Sequence, residues 1–355
     1  PDAAPSFGAL LAPMRLLSVR GHRWVCPVSW HCSAEPEELG SYPFSLDFCE
    51  HGPGEPGLAT AIAGDVRPLA QAPVRWLGRP LADAVEKVDK RASGTFVHYN
   101  DGMLVLRKRL SPELFLDGTR PRIAVDGGFG ALIHWCLLAQ DHLSLHAAVL
   151  GFHNGSLLVL GDSGAGKSSL AAAWISTGRR IVTDDSAVLI PPEKPEAPWR
   201  AEPWRMDVGL RPDVGVRLFS SSATPLHGAH STYRGKHWLH RAEHPSCFLR
   251  SSTVAGLVFL DSDKLERPRR SRAHRLSQAE ALARLLYLHP ILSRSDELTG
   301  RARASAVRLV SQLPAARLRV GFDLLENAAN EVPRIEQLLT DLLPRLGAGT
   351  GELLS

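Results

Sequence analysis

A chain of 355 residues, 44% hydrophobic and 22% charged, has apolar material for one large core or two modest ones and is far from a disordered composition. No apolar run reaches the roughly 18 residues of a membrane-spanning helix, and the first residues lack the basic-then-apolar order of an export signal, so a soluble, cytoplasmic protein without a membrane partner is expected. Five scattered cysteines without a C-x-x-C pair, and histidines without an H-E-x-x-H signature, argue against a disulfide framework and predict no transition metal.

In chain order, residues 1–125 read as a small β-rich N-terminal domain. Residues 23–28, 95–99 and 103–107 are short β-like runs, the last two forming a hairpin around Asn100-Asp101-Gly102. One short helical piece is expected near residues 81–90. Residues 126–345 read as the catalytic domain, and residues 346–355 as a flexible tail. Residues 131–138 suggest an apolar helix, residues 143–150 a buried strand, and residues 156–160 a second strand whose unbroken apolar character fits a position covered on both faces.

A Gly-rich loop follows at once, then an Ala-rich helix over residues 169–177 that stops at Gly178. A strand is expected over residues 180–189 and a connecting loop over 191–203. Another buried strand is expected at 253–261. Ser277 and Glu280 have capping-box spacing ahead of a helix at 277–288. Residues 293–313 read as helix, 316–321 as strand and 332–343 as a closing amphipathic helix. The formal charge of +4 is mild, which makes nucleic acid an unlikely partner. Much of the excess sits in residues 267–275, read as a solvated loop between a strand and a helix, with a patch for an acidic peptide or nucleic acid as the alternative.

The loop Gly161-Asp162-Ser163-Gly164-Ala165-Gly166-Lys167-Ser168 has the form G-x-x-x-x-G-K-[ST], and an apolar strand before it and a helix after it are the context such a motif needs. Gly161, Gly164 and Gly166 are expected to take positive φ and let the backbone approach the phosphates closely, so that its N–H groups point at the anion. Lys167 offers an ammonium to nucleotide phosphates, and Ser168 and Ser169 open the helix, with the Ser168 hydroxyl suited to Mg²⁺. Asp184 and Asp185 close the next predicted strand. Neighbours on a strand face opposite ways, so one can face the terminal phosphate while the other serves the metal or a water.

Together, Ser144-Leu145-His146, the loop from Gly161 to Ser168, and Gly178 to Asp185 resemble the catalytic core of the bacterial HPr kinase/phosphorylase family. The resemblance implies an α/β fold with a P-loop core of the HPr kinase/PEP carboxykinase-like type, binding ATP with Mg²⁺. It implies that Asp185 is the base toward a serine hydroxyl and that His146 lies beside the active site, which leaves Asp184 as the carboxylate that joins Ser168 as a metal candidate. Oligomers occur in that family.

Gly235-Lys236, the strand to Asp261 and Arg275-Leu276-Ser277 are similar to HPr-kinase-related proteins encoded with lasso peptides, some of which phosphorylate a precursor peptide. Arg205, Arg211 and Lys236 are then candidates for holding phosphate or an acidic acceptor. The expected function is an ATP- and Mg²⁺-dependent kinase acting on a hydroxyl of a peptide, protein or small molecule. The alternative is a P-loop ATPase that couples hydrolysis to conformational change, with Asp261 as the metal-side aspartate.

Overall fold

The computed structural model describes, between residues 14 and 123, the backbones of the strands, and beyond them residues 137–138, 141–194, 196–204, 208–219, 237–239, 241, 244–261, 268–289, 292 and 297–343. Arg205, Lys236, the tail at 346–355 and most of the helix expected at 131–138 lie outside the described residues. The chain divides into two compact units, residues 1–40 with 44–139, and residues 41–43 with 140–355. Composition had placed the division at 125/126.

The first unit is built on β1 (Met14–Val19), β2 (His22–Pro27), β3 (His31–Cys32), β4 (Asp47–His51), β5 (Ile62–Pro68), β6 (Lys87–Arg91), β7 (Gly94–His98), β8 (Gly102–Leu106), β9 (Glu113–Leu116) and β10 (Arg122–Ile123). Eight of them form one sheet in the order β4-β1-β2-β5-β9-β8-β7-β6. The expected hairpin is β7 and β8, antiparallel with Thr95 opposite Leu106. The end of the expected helical piece near residues 81–90 is instead strand β6, paired with β7 from Lys87↔His98 to Arg91↔Gly94. Cross-strand pairing decides there against a weak local helical pattern.

The second unit contains β11 (Leu143–Leu145), β12 (Ala147–Phe152), β13 (Gly155–Leu160), β14 (Ile181–Thr183), β15 (Ala187–Ile190), β16 (Arg200–Pro203), β17 (Val208–Leu210), β18 (His237–Leu239), β19 (Ser252–Leu260), β20 (Arg272–Leu276) and β21 (Ala315–Arg319). Its helices are α1 (Lys167–Ser176), α2 (Pro212–Phe219), α3 (Gln278–Leu288), α4 (Glu297–Gln312), α5 (Asp323–Glu326) and α6 (Ala328–Leu342). No described helix is long and apolar enough to cross a membrane.

The main sheet runs β11-β15-β16-β19-β13-β12-β14, with β21 added beside β19 and β20 beside β21. Strands β13, β19 and β21 are mutually parallel. Strand β12 is antiparallel to both β13 and β14, so β14 runs the same way as β13. The C-terminal ends of β13, β14, β19 and β21 therefore meet one edge of the sheet. Leu157 and Val159 of β13 join the core beneath α1, α2 and α6, while Leu158 and Leu160 are as fully buried on the other face. That double coverage is why β13 reads as an unbroken apolar run.

Four expected segments take a different form. The strand expected at 143–150 is broken at His146, and the one at 180–189 is broken at residues 184–186. β11 pairs with β15 and β12 with β14, so both chains change sheet neighbours at the same level. The expected loop at 191–203 ends in strand β16, which bridges β15 to the start of β19. Half of the basic run at 267–275 is strand β20, paired along its length with β21. A propensity pattern cannot see partners that arrive from other segments of the chain, here from Ile190↔Arg200 to Arg200↔Thr253.

Candidate active site at the phosphate loop

The loop joins β13 to α1. Gly164 and Gly166 have φ of +79° and +103°, in the left-handed region that glycine enters without a Cβ penalty. Gly161 is needed for a different reason: a Cβ there would lie 3.1 Å from the Cβ atoms of both Ala165 and Leu260, where the loop packs on β19. Gly166 caps α1 without a side-chain hydrogen bond, and the first turn carries no acid. The N–H groups of that turn, including those of Lys167, Ser168 and Ser169, stand at a helix start that suits an anion. Ala171, Ala172 and Ala173 are fully buried, and their small size lets α1 lie close on the sheet. At its other end Gly178 donates to Ile175 and Arg179 to Trp174, closing the helix in the Schellman pattern.

Lys167 is only 5% exposed, and its Nζ donates to the carbonyl oxygens of Gly161 at 2.7 Å and Asp162 at 3.1 Å. The ammonium is curled over the loop it belongs to. Burial holds its pKa below the ordinary 10.5, opposed by the charges of Asp185, Asp162 and Asp184. Those three carboxylates lie within electrostatic reach of it.

Strand register explains why. Ala147 of β12 is opposite Leu160 of β13, so His146 falls next to the first glycine of the loop. On its other side β12 carries Thr183 opposite Val149, and Asp184 and Asp185 follow at the same edge. His146 Nδ1 is 3.4 Å from Asp185 Oδ1, with the two side chains 47% and 39% exposed. Ser186 Oγ donates to Asp185 Oδ2 at 3.1 Å. Asp184 is 3% exposed. One carboxylate is thus buried and the other partly exposed, and of the two it is Asp185 whose charge acts more strongly on Lys167. His142 and His146 are four residues apart, but on extended backbone that spacing is about 13 Å and does not form a chelating pair.

On the other flank of the loop, Asp261 follows β19 one step beyond Leu260. Its Oδ2 accepts from Arg317 Nη2 at 2.5 Å and Arg319 Nε at 3.1 Å, and its side chain is 11% exposed. Burial raises its pKa, but the bonds and charges of Arg317 and Arg319 outweigh this and leave it below the ordinary 3.8. This carboxylate, named in the sequence as the metal-side acid of the alternative ATPase, is bonded to two guanidinium groups. The two arginines are functional-site neighbours that motif reading missed. Their alternation along β21 was the available signal.

Of the remaining candidates, Arg211 stands just before α2 and forms an exposed two-bond pair with Asp213, at 3.0 and 2.7 Å. The structure shows no bond from it to the loop. Arg205 and Lys236 are outside the described residues. Among the described residues no group of three or more His, Cys, Asp or Glu could hold a metal ion. Ser168 and Asp184 supply one hydroxyl and one carboxylate at the loop, which fits Mg²⁺, an ion that keeps several waters and takes few protein oxygens.

No family model matches the chain, and no curated protein matches it. Among solved structures it is similar to the HPr(Ser) kinase/phosphatase from Coxiella burnetii, with 12% identity over 58% of this chain and 99% of that one, and a TM-score of 0.28. So slight a likeness leaves the site to be judged on its own geometry.

Proposed function

We propose that this chain is a kinase, dependent on ATP and Mg²⁺, that passes the terminal phosphoryl group to a hydroxyl of a peptide, protein or small molecule. The observation that carries the reading is the pairing of an open carboxylate, Asp185 with His146 beside it, with the buried Lys167 of the phosphate loop. A serine hydroxyl is the acceptor suggested by the sequence resemblance, and the β-rich N-terminal domain of residues 1–125 is the part available to select it.

In this reading the loop N–H groups and Lys167 hold the phosphates, and Ser168 and Asp184 face the metal. Bound Mg-ATP supplies the phosphoryl group and the metal charge that offsets its oxygens. Asp185 takes the proton of the acceptor hydroxyl as the new O–P bond forms and the bond to the β–γ bridging oxygen breaks, leaving ADP. His146 and Ser186 keep the two oxygens of Asp185 in place. Phosphoryl transfer depends mainly on positioning and charge neutralisation, so Lys167 and the loop contribute most.

The test is to incubate the protein with Mg²⁺ and γ-labelled ATP, with and without lysate from its source, and to follow the label. Label on a peptide, protein or small alcohol, absent with Lys167→Ala, is the expected result. Label found only as inorganic phosphate, at a rate the lysate does not change, would replace the kinase reading with an ATPase.

A further inference from the structure

The basic run singled out in the sequence becomes part of a two-stranded surface. Register places Arg272 opposite Arg319 and His274 opposite Arg317, and residues directly opposite in an antiparallel pair share a face. Between them Ala316 and Leu318 belong to the core, with Ala273 packed against it, so the four basic residues lie on the other side of the sheet. Arg272 and His274 are exposed, and the side chains of Arg317 and Arg319 retain 30% exposure. Among the described residues the carboxylate bonded within this group is Asp261, which Arg317 and Arg319 share. Glu280 on α3 acts electrostatically on His274, but its carboxylate is bonded to the Ser277 N–H and hydroxyl in the capping box.

Position gives the surface a use. Arg319 ends β21 at the same sheet edge as the phosphate loop, two strands away from β13. At about 4.8 Å per strand, the basic face begins roughly 10–15 Å from the loop. Asp185 lies on the far flank of the loop, beyond β14, four strands from β21 and five from β20, or roughly 19–24 Å. An extended chain covers about 3.3 Å per residue, so about six or seven residues separate a segment lying on this face from a hydroxyl presented to Asp185. Among the described residues β20 pairs only with β21, so its outer edge offers backbone groups to an extended chain. The four residues that form the face, Arg272, His274, Arg317 and Arg319, are basic with no apolar member among them, and the carboxylate of Asp261 bonded to two of them disfavours a phosphate backbone.

We infer that the β20–β21 face, formed by Arg272, His274, Arg317 and Arg319 around Asp261, docks an extended acidic segment of the hydroxyl-bearing acceptor beside the phosphate loop. The inference rests on the kinase reading for its acceptor, though not for its binding. Asp261 is then a positioning residue, holding Arg317 and Arg319 in place at the edge.

The full chain is titrated against a fluorescein-labelled hexaglutamate peptide at low salt and followed by anisotropy. The unaltered protein should bind it, with affinity falling as salt rises. Arg272→Glu with His274→Glu should weaken binding at least tenfold, and Arg272→Gln with His274→Gln, which guards against a folding defect, should weaken it less but measurably. Arg250→Glu, an exposed arginine elsewhere, should bind as the unaltered protein does, as should Lys167→Ala. Equal binding by the double Glu variant would overturn the inference, as would tighter binding of a short oligothymidylate or of phosphatidylserine vesicles through the same residues. If hexaglutamate binds here but label never leaves ATP for an acceptor, the kinase reading fails and the docking face stands. If label is transferred while the double Glu variant binds hexaglutamate normally, the reverse holds.

Discussion

The phosphate loop has an acid on each flank, and the two have opposite circumstances. On the β14 side, Asp185 is 39% exposed and lies beside a histidine and a serine hydroxyl. On the β19 side, Asp261 is 11% exposed and bonded to Arg317 and Arg319. Both end a strand at the same sheet edge, so location alone does not separate them. The difference lies in what each carboxylate is already bonded to: a histidine and a serine hydroxyl on one flank, two guanidinium groups on the other.

The sharpest way to break this comparison is to remove each charge in turn. Asp185→Asn should lower phosphoryl transfer by about 10²–10⁴-fold, the range for loss of a general base, while nucleotide binding persists. His146→Ala should cost less, about tenfold, because it orients the base. If Asp261→Asn instead abolished transfer and Asp185→Asn did not, the assignment of the two flanks would be reversed.

Stability should show the opposite ranking. Asp261→Asn leaves two guanidinium groups without their shared carboxylate and is expected to cost about 1–3 kcal/mol in a denaturant titration at neutral pH. The folded pKa of Asp261 is depressed, so its stabilisation is present above the ordinary 3.8 and is lost as pH falls through the lower folded value. The gap between unaltered protein and variant should therefore close in strong acid. Asp185→Asn, with its carboxylate open to water, should change stability little.

Lys167 gives a smaller effect at the other end of the pH scale. Its pKa is held below 10.5 by burial, so the unfolded chain retains the proton to higher pH than the fold does. That linkage makes stability rise with pH through the interval up to 10.5, and Lys167→Met should flatten the rise in alkaline thermal melts. Smallest is Ser277→Ala. Its Oγ accepts from the Glu280 N–H at 3.2 Å at the start of α3, and its loss should cost about 1 kcal/mol, with no change in nucleotide binding.

Where local chemistry sufficed, the amino-acid sequence was enough. The left-handed turns at Gly164 and Gly166, the closure of α1 at Gly178, the capping box at Ser277 and Glu280, and the hairpin of β7 and β8 all depend on residues a few positions apart, and each was legible. The apolar run of β13 also announced a strand covered on both sides. Tertiary structure alone decided what depends on distant partners. It broke the chain at His146 and again at residues 184–186, so that two segments change neighbours together and His146 meets Asp185. It also turned the basic run into strand β20 and gave Asp261 two arginines from β21, more than fifty residues away in the chain. Short-range torsional and capping preferences are written in neighbouring residues, whereas strand partners and the neutralisation of a buried charge are set by packing across the whole sheet.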